Sequence, residues 1–468
     1  MTPFTYRSYR DLPSVAGIAS LPEAARVGLT IEDCVNSLKR HHWIFRRLHE
    51  TFIKRVPAEP IFELKMIYSL HAHYSAEHAA AWRRRVAEMR EPPLGLDQTP
   101  SAALDIAFDE LLAAPQTEAV LAGIYEVVLP ELHAALRQHV AEANRLVDHP
   151  TFRICRFALI EVEEMLQTGG ECVARMVNDS ARADFEPWLV FVRGLLAKSE
   201  DATLPARRFS ATPPRFDPVP RRDERFSDPY NMGVHAEAFL YDETMPAEPK
   251  TLMMYYKRLR EIDVPEVMAS IIAESSGKPW DYTVDMTRQL WDEARHAMMG
   301  EVGFVRAGID WQKFVRVNFT WSIALNTQLK PLERHAVLYF IEQGLMCKTG
   351  KRFEWEVGIA SGDPYSAMIQ DYDWADEVLH ARIGRDWYVK EIGDSRKATD
   401  YGDQCWSRVL IDWRSYKVKG LTQHENWWPP LYREWCQVQG RPLDPRALAY
   451  ATTYETARAD LSEIGVSG

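Results

Sequence analysis

No two cysteines in this chain stand at Cys-x-x-Cys spacing. The six present, Cys34, Cys155, Cys172, Cys347, Cys405 and Cys436, are scattered. That removes the usual signature of a structural zinc or iron–sulfur site and leaves reduced, cytoplasmic thiols as the expectation. No apolar run approaches the roughly 18 residues needed to cross a bilayer. The opening MTPFTYRSYRDLPS carries no basic stretch followed by an apolar one, so neither membrane contact nor export is expected. Positive charge is in deficit as well: a net charge of −11 gives no basic footprint, and nucleic acid is not an expected partner. Alternating β-branched segments bounded by turn pairs are nearly missing, which argues against sheets and predicts an all-α chain.

What the chain does have is length and helical periodicity. Its 468 residues, 46% hydrophobic and 26% charged, suit a globular protein of two or three domains. The 15 Trp are expected to fill cores. Helical patterns run from Pro60 to Met89, halted by Glu91-Pro92-Pro93, then from about Thr117 to Val147. Another follows Asp148-His149-Pro150, where proline suits a first turn. Residues 1–198 therefore read as an N-terminal helical bundle.

Residues 199–245 are rich in Pro and Arg without apolar periodicity, and read as a linker or surface arm. Residues 246–395 hold four helical segments near 251–275, 280–304, 331–351 and 366–387. Breakers at Ser275–Pro279 and Ser361–Pro364 separate them. Residues 396–468 read as a Trp-rich extension, with a last helix starting at Asp444-Pro445.

Two of those segments share a phrase. Residues 292–296 read Asp-Glu-Ala-Arg-His and residues 376–380 read Asp-Glu-Val-Leu-His. Glu and His three apart on a helix project about 60° from one another and sit roughly 4.5 Å apart along the axis, so both can grip one metal ion. With 14 His and 38 Glu, on the order of one Glu-x-x-His arises by chance, but requiring Asp in front lowers that to roughly 0.1. None of the other 12 His has Glu three positions before it. On both helices the Glu and His fall on the more inward side, although Gln370 and Asp373 make the 366–387 face less cleanly apolar. A buried, unpaired ion there would cost several kcal/mol, which a cation relieves.

Two facing Glu-x-x-His helices hold a metal pair when two more helices add one carboxylate each. Glu293 lies 14 residues after Pro279 (293 − 279), so its hairpin partner is expected 10–16 residues before the turn. Glu266 fits best and Glu261 is the fallback. On the other hairpin Glu342 is the expected partner of Glu377. The expected ligand set is Glu266, Glu293, His296, Glu342, Glu377 and His380. Carboxylates are hard anionic donors that bridge metals, and neutral imidazoles complete each site while leaving open positions. Asp292 and Asp376 are expected to orient imidazole N–H groups across the hairpins, with Arg295 neutralising that layer and His335 behind it.

The order Glu … Glu-x-x-His … Glu … Glu-x-x-His resembles the ferritin-like di-iron carboxylate superfamily. DMTRQLWDEARHAMMGE and DYDWADEVLHARIGRDW look like its ligand helices, and the likeness covers about residues 251–390. The resemblance implies a ferritin-like four-helix bundle in the C-terminal half, preceded by a second helical bundle. It also implies two irons, with manganese or a mixed pair as alternatives.

The expected function is a non-haem di-iron oxidoreductase that uses O2 and an external electron donor to oxidise or hydroxylate a small organic substrate. A ferroxidase or iron-handling protein and a tRNA-modifying hydroxylase are the alternatives, and a homodimer is the assembly held open. Competing polar groups lie in the first 200 residues: His71, His73, Glu77 and His78, then Glu126, Glu131 and His133, then Glu161, Glu163 and Glu164. None forms Glu-x-x-His, so that bundle is expected to be metal-free.

Overall fold

The structure, a computed structural model, describes residues 6–90, 95–197, 206–212, 215–347, 349–410 and 413–457. The Glu91-Pro92-Pro93 break and parts of the 199–245 and 396–468 segments lie outside them. The described residues are helical, with no strand among them. The chain divides into two compact units, one of residues 1–52 and 71–215, the other of residues 53–70 and 216–468.

The principal helices of the first unit are α1 (Ile31–Arg55), α2 (Phe62–Met89), α3 (Ala102–Ala113), α4 (Thr117–Glu142), α5 (His149–Met176) and α6 (Asp179–Leu196). The end of α1 and the start of α2 belong to the second unit. Helix α4 packs on α5 and α6, and Leu121, Ile124, Leu132 and Trp188 are buried there. By length and composition α4 could cross a membrane, but 67% of its most apolar window is buried inside the protein, as in a core helix. Its turn at Gly123–Val128 is π-wound. Pro130, which has no N–H and whose ring crowds the carbonyl four residues back, accounts for that widening. The predicted linker partly belongs to this unit: the backbone N–H groups of Arg208, Phe209 and Ser210 donate to the buried Glu110 carboxylate.

The second unit follows with α7 (Ala247–Arg260), α8 (Asp263–Glu274), α9 (Trp280–Arg306), α10 (Thr320–Gln328), α11 (Pro331–Leu345), α12 (Lys351–Ala360), α13 (Pro364–Gly384), α14 (Ser395–Leu410) and α15 (Trp428–Val438). Helices α8, α9, α13 and α11 each pack on the next, and α11 returns to α8, closing a ring of four. Helix α12 packs on α13 and α7, and α14 on α11. The expected 251–275 helix is two. Pro265 belongs in a first turn, so α7 stops at Arg260 and α8 starts at Asp263. The Trp-rich extension closes the core, with Trp427 against Tyr256 at 4.6 Å and Trp428 against Phe239 at 4.8 Å between ring centroids. The last expected helix is short, Pro445–Leu448, capped by Asp444.

Helices α7 and α9 approach so closely that a Cβ on Gly300 would lie 2.2 Å from the Leu259 backbone nitrogen. Gly300→Ala must therefore push two backbones apart, and a loss of about 1–3 kcal/mol is expected in urea unfolding. Gly344→Ala on α11 meets nothing within 4 Å and should hold or raise stability in the same assay.

Candidate metal centre

Helix α9 turns Asp292, Glu293 and His296 inward, and α13 does the same with Asp373, Glu377 and His380. Helix α11 adds Glu342, and the α7–α8 junction adds Glu261. Carboxylate and imidazole donors from Glu293, Glu342, Glu377 and His380 all lie within 4.8 Å of one another, as do those of Glu261, Glu293 and His296, and those of His296, Asp373 and Glu377. Glu293 and Glu377 are each shared between two groups. Nδ1 of His296 is 3.4 Å from Glu293 and 3.6 Å from Glu261; Nδ1 of His380 is 3.1 Å from Glu293 and 3.6 Å from Glu377. The two imidazole centroids are 6.0 Å apart, and neither ring is more than 1% exposed.

Glu266 is not part of this assembly. It is fully buried but accepts from Lys65 Nζ at 2.6 Å, Arg222 at 3.1 Å and Ser322 Oγ at 2.7 Å. The fallback Glu261 takes its place. The expectation counted from Pro279 and so included the turn itself. Counted from the helix ends, Glu261 lies 13 residues before the end of α8 (274 − 261) and Glu293 lies 13 after the start of α9 (293 − 280). Arg222 comes from the predicted surface arm, and its guanidinium is buried.

The far nitrogens of the two rings face aspartates on the opposite motif helix. Nε2 of His380 lies 3.4 Å from Asp292, and Nε2 of His296 lies 3.2 Å from Asp376. Arg295 donates to both aspartates, and Arg288 reaches Asp292 at 3.0 Å. A carboxylate behind an imidazole fixes which nitrogen carries the proton and aims the other. His335 is placed differently: it packs against the Tyr388 and Tyr282 rings, and burial lowers its pKa to about 3.

Three charged residues in this assembly carry no motif. Asp373 was visible only as a blemish on an otherwise apolar face. Arg258 and Lys351 look like ordinary helix-end cations in sequence, yet both are fully buried. Lys351 Nζ lies 2.8 Å from Glu377 and 2.9 Å from Asp373; Arg258 pairs with Glu261 at 2.8 Å and with Asp373.

The electrostatics follow from this packing. Burial disfavours an imidazolium at His380, but Asp292, Glu293 and Glu377 outweigh it and raise the pKa well above the ordinary value. Burial and the charges of Glu377 and Glu293 hold Glu342 well above the carboxylate range; Gln289 donates to it at 3.3 Å. Burial would raise Glu377 too, but Lys351 and His380 bring it well below.

Of the buried atoms without a hydrogen-bond partner among the described residues, six belong to the clustered carboxylates and imidazoles: Oε2 of Glu261, Oε1 of Glu293, Oε2 of Glu342, Oε2 of Glu377, and Nδ1 of His296 and His380; all but Oε2 of Glu342 stand in ion pairs with one another at 3.1–3.6 Å. Four hard oxygen donors and two imidazoles left unsatisfied in the interior fit iron or manganese. Of the polar residues singled out in the first unit, His71 meets Tyr125, His78 meets Glu161, His133 meets Glu163 and Glu126 meets Arg182; elsewhere in that unit, donor atoms of Cys34, His139 and Asp148 lie within 4.8 Å of one another.

Comparison of the chain with protein-family models, with curated proteins and with solved structures finds no match.

Two substitutions separate the roles of the acidic residues. Glu266→Gln weakens the pairs to buried Lys65 and Arg222 and should lower stability by roughly 3–5 kcal/mol, while the folded protein keeps its metal content by elemental analysis. Asp292→Asn should leave folding nearly unchanged but weaken metal binding about 10–100-fold in a chelator competition.

Proposed function

We propose that residues 246–395 form a ferritin-like four-helix bundle with a non-haem iron centre, manganese being the alternative metal. The protein is then an oxidoreductase that uses O2 and electrons from an external donor to oxidise a small, largely apolar organic molecule. The observation that carries this reading is the convergence of six unsatisfied buried donor atoms, one from each of Glu261, Glu293, His296, Glu342, Glu377 and His380. Carboxylates gathered in a protein interior without enough counter-charge are costly, and a divalent cation relieves that cost. When bound, iron supplies O2 activation at the positions the protein donors leave open.

The chain's own residues perform the rest. Asp292 and Asp376 hold the far N–H of each imidazole, and Arg295 donates to both aspartates between the two helices. Glu261, Glu293, Glu342 and Glu377 also line one side of a cavity of about 370 Å³, near the lower end of the range for small-molecule sites. Its other walls include Val264, Val267, Leu338, Ile341, Trp321 and Leu410. Together they offer an apolar surface to an organic body with a C–H or amine turned toward the carboxylates, beside further charged groups such as Lys257 and Arg260. Iron handling alone requires no apolar recess of this kind, which favours an organic substrate.

Anaerobic loading with Fe(II), desalting and exposure to O2 test the proposal. The intact protein should retain iron and take up O2. Glu293→Ala/His296→Ala should do neither at more than a small fraction of that level. Equal iron content in the two proteins would sink the reading.

A further inference from the structure

The two halves of the centre are not equivalent in charge. On one side stand Glu293, Glu342, Glu377 and His380, their donor atoms mutually within 4.8 Å. No lysine or arginine ion-pairs with Glu293 or Glu342 among the described residues, and Oε2 of Glu342 and Nδ1 of His380, both buried, have no hydrogen-bond partner there. On the other side stand Glu261, Asp373 and His296. Two buried cations already serve these carboxylates. Lys351 Nζ lies 2.9 and 3.0 Å from the two Asp373 oxygens, 2.8 Å from Glu377 and 3.8 Å from Glu261. The Arg258 guanidinium pairs with Glu261 at 2.8 Å and with Asp373.

A dication entering the Glu342 side meets three carboxylates and an imidazole, of which only Glu377 is held by a fixed cation, Lys351 at 2.8 Å from Oε1, while Oε2 of the same residue has no hydrogen-bond partner among the described residues. Entering the Glu261 side, it meets an ammonium on both Asp373 oxygens and a guanidinium paired with Asp373 and with Oε1 of Glu261, and only Oε2 of Glu261 and Nδ1 of His296 are without a hydrogen-bond partner there. Coulomb repulsion at such separations is strong in a buried site, and Asp373 and Glu261 have little charge left to offer. Resting on the metal-centre reading above, we infer that this chain holds a single divalent cation through Glu293, Glu342, Glu377 and His380, and that the Lys351 ammonium occupies the second metal position. The six donors that resemble a dinuclear set then divide into a metal half and a lysine half.

Metal stoichiometry tests this without any substrate. The full chain is saturated with Mn(II), freed of unbound ion by gel filtration, and measured by elemental analysis and electron paramagnetic resonance. One Mn per chain with an isolated six-line spectrum is expected. Two Mn per chain with an exchange-coupled spectrum would overturn the inference, and no bound Mn would overturn the metal reading beneath it. Lys351→Met removes the ammonium while keeping the side chain's length. It should admit a second, weaker equivalent and a coupled spectrum; a variant still limited to one Mn would overturn the assignment of the second position to Lys351. Glu342→Gln should weaken the first equivalent by tenfold or more, and an unchanged affinity would count against the metal half as drawn.

Discussion

Carboxylate repulsion inside a helical core is the constraint around which the second unit is organised. Glu261, Glu293, Glu342, Glu377, Asp373 and Asp292 crowd into one interior region. Each would rather be in water, and none is stable there without positive charge or protons close by. Imidazoles from α9 and α13, a guanidinium from α7, an ammonium from α12 and Arg295 between the motif helices supply part of it. What they leave uncompensated shows at Glu342, whose carboxyl is pushed well above its ordinary range by burial and by Glu377 and Glu293. A scaffold built for stability alone would fill this volume with leucine.

A second buried ionic knot, Lys65 with Glu266, Arg222 and Asp263, does a different job. Lys65 and Arg222 donate to the Glu266 oxygens, Arg222 also meets Asp263, and Ser322 adds a further hydrogen bond to Glu266. It clamps α2, α8 and the 216–245 segment within one unit. In this knot both Glu266 oxygens accept from cations; around the centre, one atom of each of Glu261, Glu293, His296, Glu342, Glu377 and His380 has no hydrogen-bond partner among the described residues, and it is there that donors of different helices converge.

The Glu-x-x-His repeat made α9 and α13 legible because its spacing encodes geometry directly: two donors, one helix face. Glu342 could be placed because a hairpin leaves few alternatives. Glu261 was harder, since locating it needs the true end of α8 and the break that Pro265 forces, and a straight 251–275 rod points to Glu266 instead. Lys351 and Arg258 were not legible at all. A lysine opening a helix after Gly350, or an arginine in a basic last turn, reads as solvated, and only tertiary packing buries it. The partners of His71, His78 and His133 were not legible either: sequence gives their proximity along the chain but not the tyrosine or carboxylate that each meets.

The C-terminal segment was set aside in sequence as an appendage to the four helices. In the fold, Trp406, Leu410 and Tyr454 line the cavity, while Trp427 and Trp428 plug the core beside α7. A fragment trimmed at residue 395 would keep every candidate ligand and yet leave the chamber roofless, its acidic floor open to bulk water. On the reading proposed above, the tail then takes part in selecting what reaches the centre, and two such chains with the same ligand helices and different tails would admit different guests.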